Sequence, residues 1–152
     1  MSQIVVFSLY DDIKKIDQVI LLLQKQMKDI KVDKTIRDID QSLRNALVAH
    51  KRAILEVCYE EDEPVGFIFG NICSGIESGK DYFWINEIHV KEENRRKQIG
   101  SLMIKYMENW LKNKDIEYVA AMTSRENDPS KRLFDKMKFA ESDVVWIDKY
   151  TK

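Results

Sequence analysis

Hydrophobic and polar positions divide the chain into blocks of distinct period. Gln3 to Leu9 is rich in Ile, Val and Phe and predicts a first strand. From about Asp11 to Asp29, Ile13, Ile16, Ile20, Leu23 and Met27 recur on one face and predict a helix. The polar stretch Lys31 to Lys34 interrupts that pattern. A second helix is expected from about Thr35 to Ala49, with Thr35 as its N-cap and Ile36, Ile39, Leu43 and Leu47 inward. Arg52 to Glu60 then alternates as a strand. An acidic turn, Glu60 to Pro64, follows, with Pro64 expected to stop ladder pairing. Val65 to Cys73 and Tyr82 to Val90 read as two more strands, separated by the turn Ser74 to Lys80.

The second half changes period. A helix is expected from about Gln98 to Lys112, with Ile99, Leu102, Met103, Tyr106 and Trp110 inward. Glu117 to Thr123 reads as a strand. Asp128-Pro129 marks a helix start, a capping carboxylate followed by proline at the first helical position. That helix should end near Lys138, and a last strand region should run from Phe139 to about Tyr150. Three strands joined by short turns imply an antiparallel meander. The strand–helix–strand unit after it implies local parallel pairing. The fold class is therefore α+β (mixed α/β): a central, mostly antiparallel sheet with helices on both faces. At 152 residues the chain is expected to form a single domain spanning 1–152.

Composition narrows the function. Hydrophobic residues make up 44% and charged residues 34%, as in ordinary globular proteins. A net charge of −1 argues against a nucleic-acid partner, which usually calls for a strongly basic surface. No apolar run has membrane-spanning length, and the N-terminus lacks a signal-peptide pattern. Cys58 and Cys73 lie in apolar strand-like runs with no metal spacing, so buried free thiols and a cytoplasmic setting are expected. Two histidines, His50 and His89, are too few for a metal site.

The candidate chemistry lies where the strand ending at Val90 feeds the helix beginning near Gln98. The junction holds Arg95, Arg96, Lys97 and Gly100. The first N–H groups of a helix have no internal acceptor, and the helix dipole adds positive charge there. A phosphate or pyrophosphate is the expected guest, and a solvated loop is the alternative. The segment is neither a Walker loop nor a dinucleotide fingerprint, since only Gly100 is present where more glycines are needed.

Arg95-Arg96-Lys97-Gln98-Ile99-Gly100 resembles the acyl-CoA signature of the GNAT N-acetyltransferases, Gln/Arg-x-x-Gly-x-Gly/Ala. Gln98 stands in place of the middle glycine, where the backbone is expected to suit a side chain. Glu87-Ile88-His89-Val90 resembles the strand end that precedes this signature. A second block, Asn127 to Phe139, resembles Asn-x-x-Ala-x-x-Leu-Tyr-x-Lys-x-Gly-Phe. The resemblance is strongest from about Glu56 to Phe139.

The resemblance implies acetyl-CoA as cosubstrate, no metal, and a primary amine of a small molecule or peptide as acceptor, without nucleic acid or membrane. It implies that Arg95, Arg96, Lys97, Gln98, Ile99, Gly100 and Ser101 receive the pyrophosphate, with N–H groups from Arg96 through Leu102. Ile88, His89 and Val90 would border the pantetheine arm, and Asn127 and Phe134 would reach it from the second block. Glu87 is the candidate base. Phe134 replaces a tyrosine that often protonates the leaving thiolate, and phenylalanine has no proton to give. That departure keeps a non-catalytic acyl-CoA-binding module as the alternative. Many members of the family dimerise, so a homodimer is a further expectation.

Overall fold

The computed structural model describes residues 1–152, which form two compact units, Met1–Met122 and Thr123–Lys152. In the first, five strands form one sheet in the order β1 (Ser2–Phe7), β2 (Ala53–Glu60), β3 (Glu63–Ser74), β4 (Asp81–Val90) and β5 (Val119–Ala121). The first four pair antiparallel, and β4 and β5 pair parallel. The fold class expected from the sequence is the one observed.

Two helices, α1 (Ile16–Asp29) and α2 (Ile36–Ala46), cover one face of the sheet. There Val19, Leu22, Leu23, Ile39, Leu43 and Leu47 pack with Ala53, Leu55, Val57 and Phe67. A third helix, α3 (Ile99–Lys112), covers the other face. Because both faces are covered, seven consecutive residues of β2, Ala53 to Tyr59, are buried.

Several boundaries move for identifiable reasons. Helix α1 begins at Ile16 rather than near Asp11, because Tyr10 is pinned in a short 3-10 turn. The Tyr10 hydroxyl donates to Asp40, and the Arg44 guanidinium lies 4.1 Å from its ring centre. Thr35 does cap α2, in a reciprocal box with Asp38. Ile36, expected inside, is exposed.

Pro64 does not stop the ladder. It sits inside β3 opposite Tyr59, where a register shift between Cys58 and Tyr59 accommodates its missing N–H. The hairpin before it turns on Glu61 and Asp62, both with positive φ.

On α3 the buried arc is Ile99, Met103, Ile104, Met107 and Leu111, while Leu102 and Tyr106 face outward and Trp110 is half-buried. The apolar residues of α3 occupy more than one face, so periodicity alone does not choose the arc. Packing chooses it: Gly66 leaves a notch for Met103, whose Cε would be 3.1 Å from a Cβ at that position. Cys58 is buried as expected, whereas Cys73 is half-buried; both are free.

In the second unit, α4 spans Asp128–Lys136. Its N-cap is Asn127, whose side chain accepts from the Ser130 N–H at 3.2 Å; Asp128 is the first helical residue, not the cap. The expected strand from Phe139 to Tyr150 is absent. Residues 141–152 have no regular structure and are exposed, with Val144, Val145, Trp146 and Ile147 outward. An apolar run is able to form a strand, but a strand exists only when a ladder accepts it.

Gly70 is a fixed point of the sheet. A Cβ there would overlap the Phe83 ring and lie 2.5 Å from the Trp84 carbonyl oxygen. Gly70→Ala should therefore destabilise the protein by at least about 2 kcal/mol. A urea midpoint equal to that of the parent protein would refute this.

Candidate active site

Strand β4 changes its relation to both neighbours in mid-course. On the β3 side, Phe69 pairs with Glu87 and Gly70 with Ile85, so Asn86 is an extra, bulged residue. The Asn71 side chain holds it, donating from Nδ2 to Asn86 Oδ1 at 2.7 Å. On the other side, β5 pairs only with Phe83, Trp84 and Ile85. From Asn86 to Val90 the outer edge of β4 has no strand neighbour.

The bulge also changes which face each side chain takes. Before it, Phe83 and Ile85 share the α3 face with Gly70. After it, Glu87 and His89 lie opposite Phe69 and Phe67, on the face covered by α1 and α2. Glu87 is half-buried, and burial raises its carboxyl pKa. His89 is buried beside Phe67, with ring centroids 6.0 Å apart. Burial first, then the Arg95 charge, lowers its pKa to about 4, so the imidazole is neutral at neutral pH. Its Nε2 has no hydrogen-bond partner, nor has the buried Oε1 of Gln26 on α1.

Beyond Val90 the chain makes a short 3-10 turn, Glu92–Asn94, and then enters α3 through two left-handed residues, Arg96 (φ 64°) and Gln98 (φ 63°). The backbone N–H groups of Arg96, Lys97, Gln98, Ile99, Gly100 and Ser101 have no acceptor within the chain. The run stops there and does not include Leu102, which donates to the Gln98 carbonyl at 3.0 Å. Consecutive free N–H groups around left-handed residues form a concave anion-binding nest at a helix N-terminus.

The basic residues divide their work. Arg95 is turned away from the nest: its Nε donates to the Val90 carbonyl at 2.9 Å, and its guanidinium lies 3.8 Å from Asp29 at the end of α1. Arg96 and Lys97 are exposed and make no salt bridge. Ile88 and Val90 lie on the open-edged stretch of β4 with His89.

The nest, two adjacent cations and an open strand edge suit a pyrophosphate carrying an amide-bearing arm. In the second unit, the Asn127 carbonyl oxygen is engaged in capping α4, leaving its amide free to donate. Phe134 is buried against Phe139, ring centroids 5.0 Å apart.

The family model described as Acetyltransferase (GNAT) family matches residues 16–139. The chain belongs to the GNAT acetyltransferase family. No curated protein matches it. Solved structures carry the same fold at low identity. An aminoglycoside acetyltransferase from an uncultured soil metagenomic sample, in complex with sisomicin, is 20% identical with a TM-score of 0.84, covering 99% of this chain and 97% of that one. A ribosomal-protein-alanine N-acetyltransferase from Brucella melitensis biovar Abortus 2308 is 15% identical with a TM-score of 0.80, covering 99% of each chain. An acetyltransferase from Clostridium acetobutylicum, solved with acetyl-CoA, is 15% identical with a TM-score of 0.76, covering 99% and 96%.

Against the GNAT signature, Gln98 is the informative residue. It occupies the place of the middle glycine, and its φ of 63° and ψ of 19° are left-handed. The backbone there is one that favours glycine rather than one suited to a side chain. A non-glycine residue in that region costs about 1–2 kcal/mol.

The bulge at Asn86 and the polar pair it makes with Asn71 left no legible signal in the sequence. Gln26 did leave one, as a polar residue four positions after the buried Leu22.

Gln98→Gly should relieve the left-handed strain while leaving every N–H of the nest in place. It should raise stability by about 0.5–1 kcal/mol, the strain relief outweighing the added freedom of the unfolded chain. Chemical denaturation of the two proteins checks this, and a lower midpoint for the glycine variant would show that the turn is not strained.

Proposed function

We propose that residues 1–152 work as a single domain that transfers an acetyl group from acetyl-CoA to a primary amine on a small molecule or peptide. The run of six free N–H groups from Arg96 to Ser101, beside the open edge of β4, carries this reading. Membership of the GNAT family supports it. Bound acetyl-CoA supplies an acyl group already activated as a thioester, so the protein needs no nucleophile of its own. Arg96 and Lys97 add charge at the pyrophosphate, and Gly100 keeps a side chain out of its approach. Ile88, His89 and Val90 lie along the arm.

The incoming amine has to lose a proton before it attacks. Glu87 is the base: its half-buried position raises its affinity for that proton. The neutral His89 beside it adds no competing positive charge. Phe134 offers no acid to the departing thiolate, and none is required, because a thiol with a pKa near ~8.5 is already a good leaving group.

No helix of the chain is long and apolar enough to cross a membrane. The free Cys58 and Cys73 fit a reducing, cytoplasmic setting. Burial of Phe134 against Phe139 favours one second reading, an acyl-CoA-binding module without turnover.

Isothermal titration with acetyl-CoA, followed by thiol release over a panel of amines, tests the proposal. Binding with release on at least one amine is expected. Binding without release on any amine selects the second reading, and no binding removes both.

Two variants locate the roles. Gly100→Val, at the second residue of α3, should weaken acetyl-CoA binding tenfold or more, about 1.4 kcal/mol, in a protein that still folds. Unchanged affinity in that variant would place the pyrophosphate elsewhere.

Glu87→Gln should lower kcat about 100-fold or more at neutral pH with acetyl-CoA affinity intact. A base works only when deprotonated, so activity of the parent enzyme should fall as pH drops through the raised pKa of Glu87. That acid limb should lie above the 4.5 of a free glutamate carboxyl and vanish in the glutamine variant. An identical pH–rate profile for both proteins would clear Glu87 of the role.

A further inference from the structure

Glu56, in the middle of β2, is fully buried, and neither of its carboxyl oxygens has a hydrogen-bond partner. It pairs across the sheet with Val6 on β1 and Ile68 on β3, and Ile68 pairs with Ile88 on β4. The opposite face of β2 belongs to Leu55 and Val57, packed under α1 and α2, so Glu56 points to the α3 side.

No cation meets it there. The inward residues of α3 are Ile99, Met103, Ile104, Met107 and Leu111, and the sheet around it presents Ile4, Val6, Gly66, Ile68, Ile85, Ile88 and Val90. Along β2 the titratable groups on that face are Cys58 and Glu60; at the far rim of the sheet Arg52 and Asp81 pair with each other. Burial, then the charge of Glu60, pushes the Cys58 thiol up to about 11, so it stays neutral. Glu60, at the rim, takes two donors, Ser2 Oγ at 3.0 Å and Asn94 Nδ2 at 3.4 Å. Glu56 has none.

We infer that Glu56 is a positioning residue for the anion nest: as a neutral acid it lets α3 lie on the sheet, and its ionisation loosens the helix whose first turn forms that nest. A charge at this point has no counter-ion and must reach water. The face towards α1 and α2 is closed by the main core, so the route to water is separation of α3 from β2 and β3.

Burial alone holds the Glu56 pKa at about 9 against 4.5 for a free carboxyl. The folded value is raised, so the stability linked to this group is complete below about 4.5 and is lost as pH rises toward 9. Across that window the unfolded chain is ionised and the folded one is not. The unfolding constant should rise about tenfold per pH unit on account of this one proton.

The test compares the intact chain with Glu56→Gln, and with Glu56→Met should the glutamine variant fail to fold. Chemical denaturation at several pH values between 5 and 8.5 should give a ratio of unfolding constants, parent over variant, that grows about tenfold per unit. The infrared carbonyl band of a protonated carboxylic acid should persist in the parent at neutral pH and be missing from the variant. Parallel stability curves, or no such band, would overturn the neutral acid.

Hydrogen exchange of the Met103–Leu111 amides reads the coupling to α3. Above pH 9 the parent should lose protection that the variant keeps, and equal protection would overturn the coupling. Titration with CoA, which rests on the functional reading above, should give equal affinities at pH 7 and at least a tenfold weaker parent near pH 10. Absence of CoA binding by both proteins at pH 7 would count against the functional reading, while the exchange result would still decide the role of Glu56.

Discussion

Strand β4 loses its neighbour β5 and slips register against β3 at the same place, and the candidate site follows from that change. Its partner β5 stops opposite Ile85, and the next residue, Asn86, is bulged out of register with β3. A strand whose edge is unpaired keeps peptide groups free to bind something other than a strand. The bulge, fixed by the Asn71–Asn86 hydrogen bond, also sends Glu87 and His89 to the face opposite Phe83 and Ile85. One extra residue thus aims a half-buried carboxylate, the end of β5 opens the edge, and the chain enters α3 nine residues after Val90 through a left-handed turn.

That turn is electrostatic in a local sense. The nest needs neither a large net charge nor a strongly basic surface, and the chain carries a net charge of −1. What counts is that six N–H dipoles converge while Arg96 and Lys97 stand beside them unpaired. Arg95 does a different job. By bonding the Val90 carbonyl and approaching Asp29, it ties the start of the nest to the end of α1. Helices on the two faces of the sheet are therefore linked through one side chain at the sheet's end.

The two carboxylates of this interior, Glu56 and Glu87, show how environment separates like groups. Both have their pKa raised by burial, but Glu87 is only half-buried, whereas Glu56 is fully buried under an apolar helix. A partly desolvated carboxylate becomes a better base, and a fully desolvated one ceases to be charged at neutral pH. Burial of β2 on both faces is what makes the second case arise.

What the sequence determined by itself is what depends on near neighbours along the chain. Period-two runs located β1 to β4, the 3.6-residue stripes located α1 to α3, and Thr35 announced its own capping role, because each is decided within a few residues. The anion nest was legible for the same reason: its N–H donors, its cations and Gly100 all lie between Arg95 and Ser101. Tertiary structure decided what depends on distant partners. It put Leu102 and Tyr106 of α3 outside and Met107 and Leu111 inside, since a notch at Gly66 selects the arc. It turned Arg95 from the expected phosphate toward Val90 and Asp29, and it moved the α4 cap from Asp128 to Asn127. It left 141–152 without the expected strand, and it buried Glu56 away from any cation. Burial and pairing are sums over residues far apart in the chain, so no local pattern contains them.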